Sequence, residues 1–328
     1  MSKRELGQYY TEGNPFKNPL FMEWFGLLPN GCNLLEPFAG ANYIVKSVKE
    51  VGITNSWSCF DIEPNENNVC SEYKVEKRDS INDFPKGFIA TITNPPYLAK
   101  NSATRRKIAF PDTKYDDLYK VCVDLMLSHC PYVAAIIPES FITSGEFLAR
   151  LYGVISITDK IFADTECPVC LALFTPKGTE RGIKVYSDNT YLGTLEELQK
   201  CKVAGCIPNI NWVFNDKNGN IGVKAVDSQK TADCKFFVGE KINPEDIKVS
   251  SRAFTRISGL PKEIDREKFI ERCNQALVEY RATTNDILMT PFKGLRKDGK
   301  YRRRLDFKTI RYIMDYVLEE MGYTMTLF

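Results

Sequence analysis

One histidine occurs in 328 residues, His129. It ends the apolar stretch "DLYKVCVDLMLSHC", whose spacing makes it a helix-end residue. Histidine is the side chain that titrates nearest neutrality, so its scarcity removes most hydrolases built on a histidine base. Lys and Arg number 44 against 42 Asp and Glu. That balance gives no global field to attract a polyanion, and any nucleic-acid contact must come from local basic patches. No apolar run approaches the roughly 18 residues of a membrane-spanning helix. The start "MSKRELGQYY" has no apolar segment behind its basic end, so the chain is expected in the cytoplasm with no membrane partner. A G-x-G-x-x-G is missing too, which disfavours a phosphate-cradling dinucleotide loop.

The eleven cysteines are odd in number and scattered through apolar segments, which suits reduced core thiols better than disulfides. Cys167 and Cys170 form a C-x-x-C, with Cys201 and Cys206 further on. The first pair lies in the strand-like "CPVCLALF" and the second has four residues between its thiols, so no metal is expected.

With 43% hydrophobic residues the chain can bury a core, and its length allows two domains. Its first half alternates strand-like and helix-like segments. "NLLEPFA", "SWSCFDIEP", "EYKVEKRDS", "FIATITNPPY", "YVAAIIP", "VISITDKIF" and "CPVCLALF" read as strands. "YIVKSVKEVG", residues 115–129 and "SGEFLARLYG" read as helices. Such alternation indicates an α/β fold with a mostly parallel sheet. Beyond the polar link "FTPKGTERG" the texture turns irregular and ends in two amphipathic segments. Domains are therefore expected at 1–178 and 179–328.

The strand "FIATIT" runs into Asn94, Pro95, Pro96 and Tyr97. Prolines stop a strand and leave nearby carbonyls without ladder partners, and the residue ahead of a proline is held extended. Asn94 is thus fixed at the carboxyl end of its strand, where open parallel sheets bind ligands. The turn "EPFAGAN" sets Gly40 where backbone can pass close to a ligand. Some twenty residues on, "FDIEP" offers Asp61, and second to it Glu63, to ribose hydroxyls. Asp79 in "RDSINDF" is positioned to accept from an exocyclic amine.

Taken in order, "GQYYT", "EPFAGAN", "FDIEP", "RDS", "NPPY", "AAIIPESFITS" and "CPVCLALF" resemble the gamma-class adenine-N6 DNA methyltransferases over about residues 6–175. The chain departs from the family at Asn42, where a second glycine is usual, and at "SHCPY", which replaces Lys-Pro-Gly-Gly. The resemblance implies a Rossmann-like methyltransferase domain with a mostly parallel seven-stranded sheet, followed by a C-terminal target-recognition domain. It implies S-adenosyl-methionine held by Tyr10, Thr11, Glu36, Pro37, Gly40, Asp61, Asp79 and Asn94, and catalysis by Asn94, Pro95, Pro96 and Tyr97. Phe162, at family-like spacing, is the second stacking ring for a base flipped from duplex DNA. A cognate restriction endonuclease acting on the same site is a further implied partner.

Physical need agrees with that implication. The adenine amino nitrogen has its lone pair delocalised into the ring. Two acceptors aimed at its protons, the side-chain oxygen of Asn94 and the carbonyl of Pro95, would pull it toward tetrahedral geometry and stabilise the charge that develops there. No general base is required. Phosphate contacts are expected from Lys100, Arg105, Arg106 and Lys107, just after the tip. A second basic cluster in residues 292–308 holds Lys293, Arg296, Lys300, Arg302, Arg303 and Arg304. The alternatives are an RNA adenine-N6 or protein glutamine-N5 methyltransferase, whose substrate also offers a planar nitrogen, and a DNA-binding protein on a degenerate methyltransferase scaffold.

Overall fold

The apolar runs read as strands form the middle of one large sheet in the computed structural model, which describes residues 14–158, 168–200 and 210–323. Two compact units divide the chain, Met1–Tyr191 and Leu192–Phe328. In the first, Asn18 caps α1 (Pro19–Phe25) by accepting the Leu20 N–H at 2.8 Å, with Pro19 at the first helical position. Next come β1 (Leu34–Glu36), α2 (Tyr43–Lys49), β2 (Trp57–Asp61), β3 (Val75–Lys77) and β4 (Ala90–Thr93). They are followed by α3 (Lys100–Arg106), α4 (Leu118–His129), β5 (Tyr132–Pro138), β6 (Leu151–Ile157), β7 (Val169–Phe174), β8 (Lys184–Ser187) and, across the boundary at Tyr191, β9 (Thr190–Thr194).

The strand order is β3-β2-β1-β4-β5-β7-β6-β8-β9. Strand β1 pairs in parallel with both β2 and β4, so the chain winds outward in one direction through β2 and β3 and in the other through β4 and β5. The switch point of this α/β sheet therefore lies between β1 and β4, with the carboxyl ends of β1, β2 and β4 on one edge. Every residue of β4 and β7 is buried, as expected for strands covered on both faces.

Two expectations are corrected. The sheet has nine strands rather than seven and is mixed, because β7 runs antiparallel to β5 and β6. The segment "SGEFLARLYG" is not an α-helix: its last residues open β6, and Leu148–Arg150 makes a single 3-10 turn. Gly145 and Phe147 adopt φ of 73° and 57°, values that no α-helix tolerates. Arg150 then crosslinks the neighbourhood, donating to the carbonyls of Leu127, Cys130, Pro131 and Thr175. The expected domain boundary at 178 falls ahead of β8, which pairs in parallel with β6.

The second unit contains α5 (Leu195–Lys200), β10 (Val213–Phe214), β11 (Ile221–Lys224), β12 (Lys235–Val238) and β13 (Phe254–Ser258). The two amphipathic segments form α6 (Arg266–Thr284) and α7 (Phe307–Glu320), with the hairpin β14 (Thr290–Leu295) and β15 (Tyr301–Arg304) between them. Four strands make an antiparallel sheet in the order β10-β13-β11-β12. Asn274 of α6 accepts the Phe236 N–H at 2.8 Å and donates to its carbonyl at 3.0 Å, so the helix satisfies the edge strand β12. Among the described residues no helix is long and apolar enough to cross a membrane.

Candidate active site

At the end of β1, Glu36 is fully buried. Its Oε1 accepts the Phe38 N–H at 3.1 Å and the Thr93 hydroxyl, while Oε2 has no partner among the described residues. Burial pushes its carboxyl up to about 8 against the lowering effect of those two bonds, and the nearby Asp61 charge adds to the rise. The turn that follows holds Gly40 at φ 50°, and a Cβ built there would meet nothing within 4 Å. Asn42 takes the left-handed φ of 62° that a glycine would adopt at ease. It stays there because its amide donates to Tyr73 O at 3.0 Å and Asn68 Oδ1 at 3.1 Å.

The turn is tied to the end of β2. Gly40 N–H donates to Asp61 Oδ2 at 2.8 Å, and Asp61 Oδ1 accepts the Glu63 N–H at 2.9 Å. Each carboxylate oxygen keeps a further lone pair for a hydroxyl donor. Glu63 itself is exposed. Past β3, Asp79 accepts the side-chain amide of Asn82 at 2.8 Å and the backbone N–H of Ile81 and Asn82. The Asn82 amide is the main reason its carboxyl lies below the ordinary value.

Asp61, Asp79, Asn94 and Pro96 border one cleft of about 270 Å³, together with Phe38, Ile62, Arg78, Ser80 and Ile81. Carboxylates thus edge a space whose other walls are largely apolar, a surface suited to a flat ring joined to a sugar. Ser80 Oγ is buried beside it without a partner among the described residues. The last five residues were missed in the sequence. Ile62 had a signal, an apolar residue inside the acidic "FDIEP", and it is 58% exposed.

At the tip of β4, Asn94 is half-buried, Pro95 buried and Pro96 exposed. Tyr97 packs on the core of the unit and meets Tyr119 edge to face at 6.3 Å. Its hydroxyl lies 2.6 Å from Asn94 Oδ1 and 2.7 Å from the Ile136 carbonyl oxygen. Tyr10, Thr11 and Phe162 lie outside the described residues, as do Cys167, Cys201 and Cys206. Cys170 is buried, and burial pushes its thiol well up.

Type I modification methyltransferases are among the solved structures that match the chain. The methyltransferase subunit of a type I restriction-modification system from Streptococcus thermophilus shares 16% identity over 60% of this chain and 53% of its own, with a TM-score of 0.40. This chain therefore spans about half the length of that subunit. A protein from Listeria monocytogenes assigned to the class I S-adenosylmethionine-dependent methyltransferases shares 11% over 61% of this chain and 72% of its own, at a TM-score of 0.42. The M protein of the type I restriction enzyme EcoKI shares 11% over 97% of this chain and 74% of its own, at 0.38. No protein-family profile and no curated protein sequence matches the chain.

The basic residues expected at DNA divide into two kinds. Lys100, Arg105 and Arg106 on α3 and Lys107 at its end are exposed, as are Lys293 and Lys300 in the second unit. Arg296 and Arg303 are buried, at 7% and 6% exposure. Arg296 pairs with Asp227 at 3.2 Å and Asp298 at 3.0 Å. Arg302 donates from Nε to the Asp227 carbonyl at 2.8 Å and lies over the Phe292 ring, and Arg304 is half-buried. The buried partner of Arg296 is Asp227, which is fully buried and also held bidentately by Arg281 at 2.9 and 3.0 Å. Burial pushes this carboxyl up, but the Arg281 hydrogen bonds and charge outweigh it and bring it down to about 2. A buried carboxylate needs cations around it, and Arg296 of the basic run supplies one beside Arg281.

Proposed function

We propose that this chain is an S-adenosyl-methionine-dependent DNA methyltransferase that modifies the N6 amino group of an adenine flipped out of the duplex. One observation carries the reading: Asp61, Asp79 and Asn94 meet on a single cleft beside the Gly40 turn, at the switch point of the sheet. The cofactor fits the residues present there. An open backbone turn at Gly40 and two carboxylates offer acceptors for ribose hydroxyls and an exocyclic amine, and the partnerless Glu36 Oε2 marks a buried polar position that a ligand group can satisfy. Glu36, Pro37, Gly40, Asp61 and Asp79, with Tyr10 and Thr11, would hold it. When bound it supplies an electrophilic methyl group on a sulfonium.

Asn94 and the Pro95 carbonyl accept the two amino protons of adenine and localise the lone pair on nitrogen, stabilising the positive charge that grows there. The surplus proton leaves to water. Tyr97 and Phe162 flank the flipped ring. Lys100, Arg105, Arg106 and Lys107 contact phosphates near the base, and the exposed Lys293 and Lys300 do so from a target-recognition domain formed by the second unit. A restriction endonuclease that cuts the same site would be the partner, and the cytoplasm the place of action.

The test is transfer of labelled methyl to duplex DNA by the purified chain, followed by nucleoside digestion and mass spectrometry. N6-methyladenine is expected from the wild type and none above background from Asn94→Ala, which still binds cofactor. Label entering RNA or protein glutamine instead, or undiminished transfer by Asn94→Ala, overturns the reading.

A further inference from the structure

The register of the large sheet explains what the Tyr97 hydroxyl is doing. Tyr132 N–H donates to Ile89 O at 3.0 Å, and Ala90 to Thr93 lie opposite Tyr132 to Ala135. In a parallel ladder, alternate residues turn both backbone groups to the same neighbour. Tyr132, Ala134 and Ile136 therefore face β4, and continuing the register sets Ile136 opposite Asn94. The Ile136 carbonyl then points to the nitrogen of Pro95, which carries no hydrogen. Ile136 is 2% exposed, so water does not readily fill the gap. The Tyr97 hydroxyl fills it, at 2.7 Å.

A tyrosine has one proton to donate, and the Ile136 carbonyl can only accept. With that proton committed, the amide of Asn94, 2.6 Å away, meets the hydroxyl oxygen as a lone-pair acceptor. An oxygen facing an oxygen at that distance is repulsive, whereas an amide NH₂ facing it makes a second hydrogen bond. A half-turn of the Asn94 amide about its last torsion exchanges the two atoms without moving the side chain. Oδ1 then takes the position of Nδ2, which has no protein partner among the described residues, on a side chain that borders the cleft.

We propose that Tyr97 is a positioning residue: with its proton on the Ile136 carbonyl, its hydroxyl oxygen accepts the Asn94 amide NH₂ and so leaves Asn94 Oδ1 free to accept from the substrate amine. The two prolines stop the strand and thereby create the acceptor that orients the asparagine. The catalytic consequence rests on the adenine-methyltransferase reading. The hydrogen bond itself does not.

Two measurements on the full chain test this. By amide NMR, with the Asn94 side-chain signal identified through its loss in Asn94→Ala, the Asn94 NH₂ should exchange with solvent roughly tenfold more slowly than that of exposed Asn101 in the wild type. In Tyr97→Phe that protection should vanish. Exchange as fast as at Asn101 in the wild type overturns the proposal, and this arm needs no substrate. In the transfer assay, Tyr97→Phe keeps the stacking ring but should lower kcat roughly three- to tenfold, with KM for DNA and cofactor within about twofold. An unchanged kcat overturns the proposal. A wild type that methylates no DNA overturns the functional reading instead, and the exchange result still judges the bond.

Discussion

Glu36→Gln is the substitution with the most sharply defined outcome. The wild-type carboxyl is fully buried, and that burial pushes it up to about 8 from an ordinary value of 4.5. The folded state therefore holds a proton that the unfolded state releases. A group whose folded pKa is raised contributes its full stability below the unfolded value and loses it as pH climbs through the folded one. With about 1.4 kcal/mol for each pKa unit, the loss between about pH 5 and pH 8.5 is at most about 4 kcal/mol. Glutamine keeps the oxygen that accepts from Phe38 and Thr93 and sets an NH₂ where the protonated acid has its hydroxyl. Near pH 5 the two chains should unfold at similar urea concentrations. By pH 8.5 the variant should be the more stable by up to that amount, because only the wild type has to bury a charge or hold a proton against the solvent. Urea unfolding of both chains at three pH values reads this difference. Parallel stability curves would refute the reasoning and show that water or a cation reaches Oε2.

Asp61→Ala removes the acceptor assigned to ribose and also the cap on the Gly40 N–H, so cofactor affinity by calorimetry should fall roughly ten- to hundredfold. An unchanged affinity would move the cofactor elsewhere. Arg296→Ala strips one cation from the buried Asp227 and should cost roughly 3 kcal/mol of stability in thermal unfolding. A change below about 0.5 kcal/mol, typical of exposed sites, would mean that Arg281 alone satisfies that carboxylate. Lys300→Ala, an exposed neighbour in the same basic run, should leave stability unchanged while lowering the salt dependence of DNA binding by about one unit of slope. An unaltered slope makes Lys300 a solvated charge.

Features governed by local backbone chemistry were legible in the sequence. The strands ending in Glu36 and Asp61 and the one leading into Asn94 were found because apolar runs met turn residues, and parallel pairing then brought Asp61, Asp79 and Asn94 to one cleft. Features decided by distant partners were not legible. "SGEFLARLYG" has helical spacing, yet its Arg150 is anchored on carbonyls of Leu127, Cys130 and Thr175, and no local pattern announces them. The basic run of residues 292–308 looks uniform in sequence. Asp227, 69 positions before Arg296, holds that member of the run in the interior while Lys293 and Lys300 stay exposed. The reversal of β7 is likewise a choice of neighbour, which periodicity does not encode.

The Asn94 tip shows how the two kinds of information combine. That prolines interrupt a ladder follows from the sequence alone, and so does the existence of an acceptor left without its N–H. Sequence reasoning sought that acceptor on Pro95 itself. The register puts another on Ile136, whose carbonyl lies 39 positions beyond the tyrosine that meets it. A ring that sequence reasoning treats as a flat surface thus carries a second chemical function at its edge. Stacking alone would be satisfied by phenylalanine. Because the hydroxyl joins a backbone carbonyl to the amide, tyrosine at position 97 and proline at position 95 are parts of one device. Replacing Pro95 with a residue that carries an N–H would return the Ile136 carbonyl to the ladder and release the Tyr97 proton to Asn94 Oδ1. The loss of transfer on such a substitution would then exceed what the shape change of the tip alone explains.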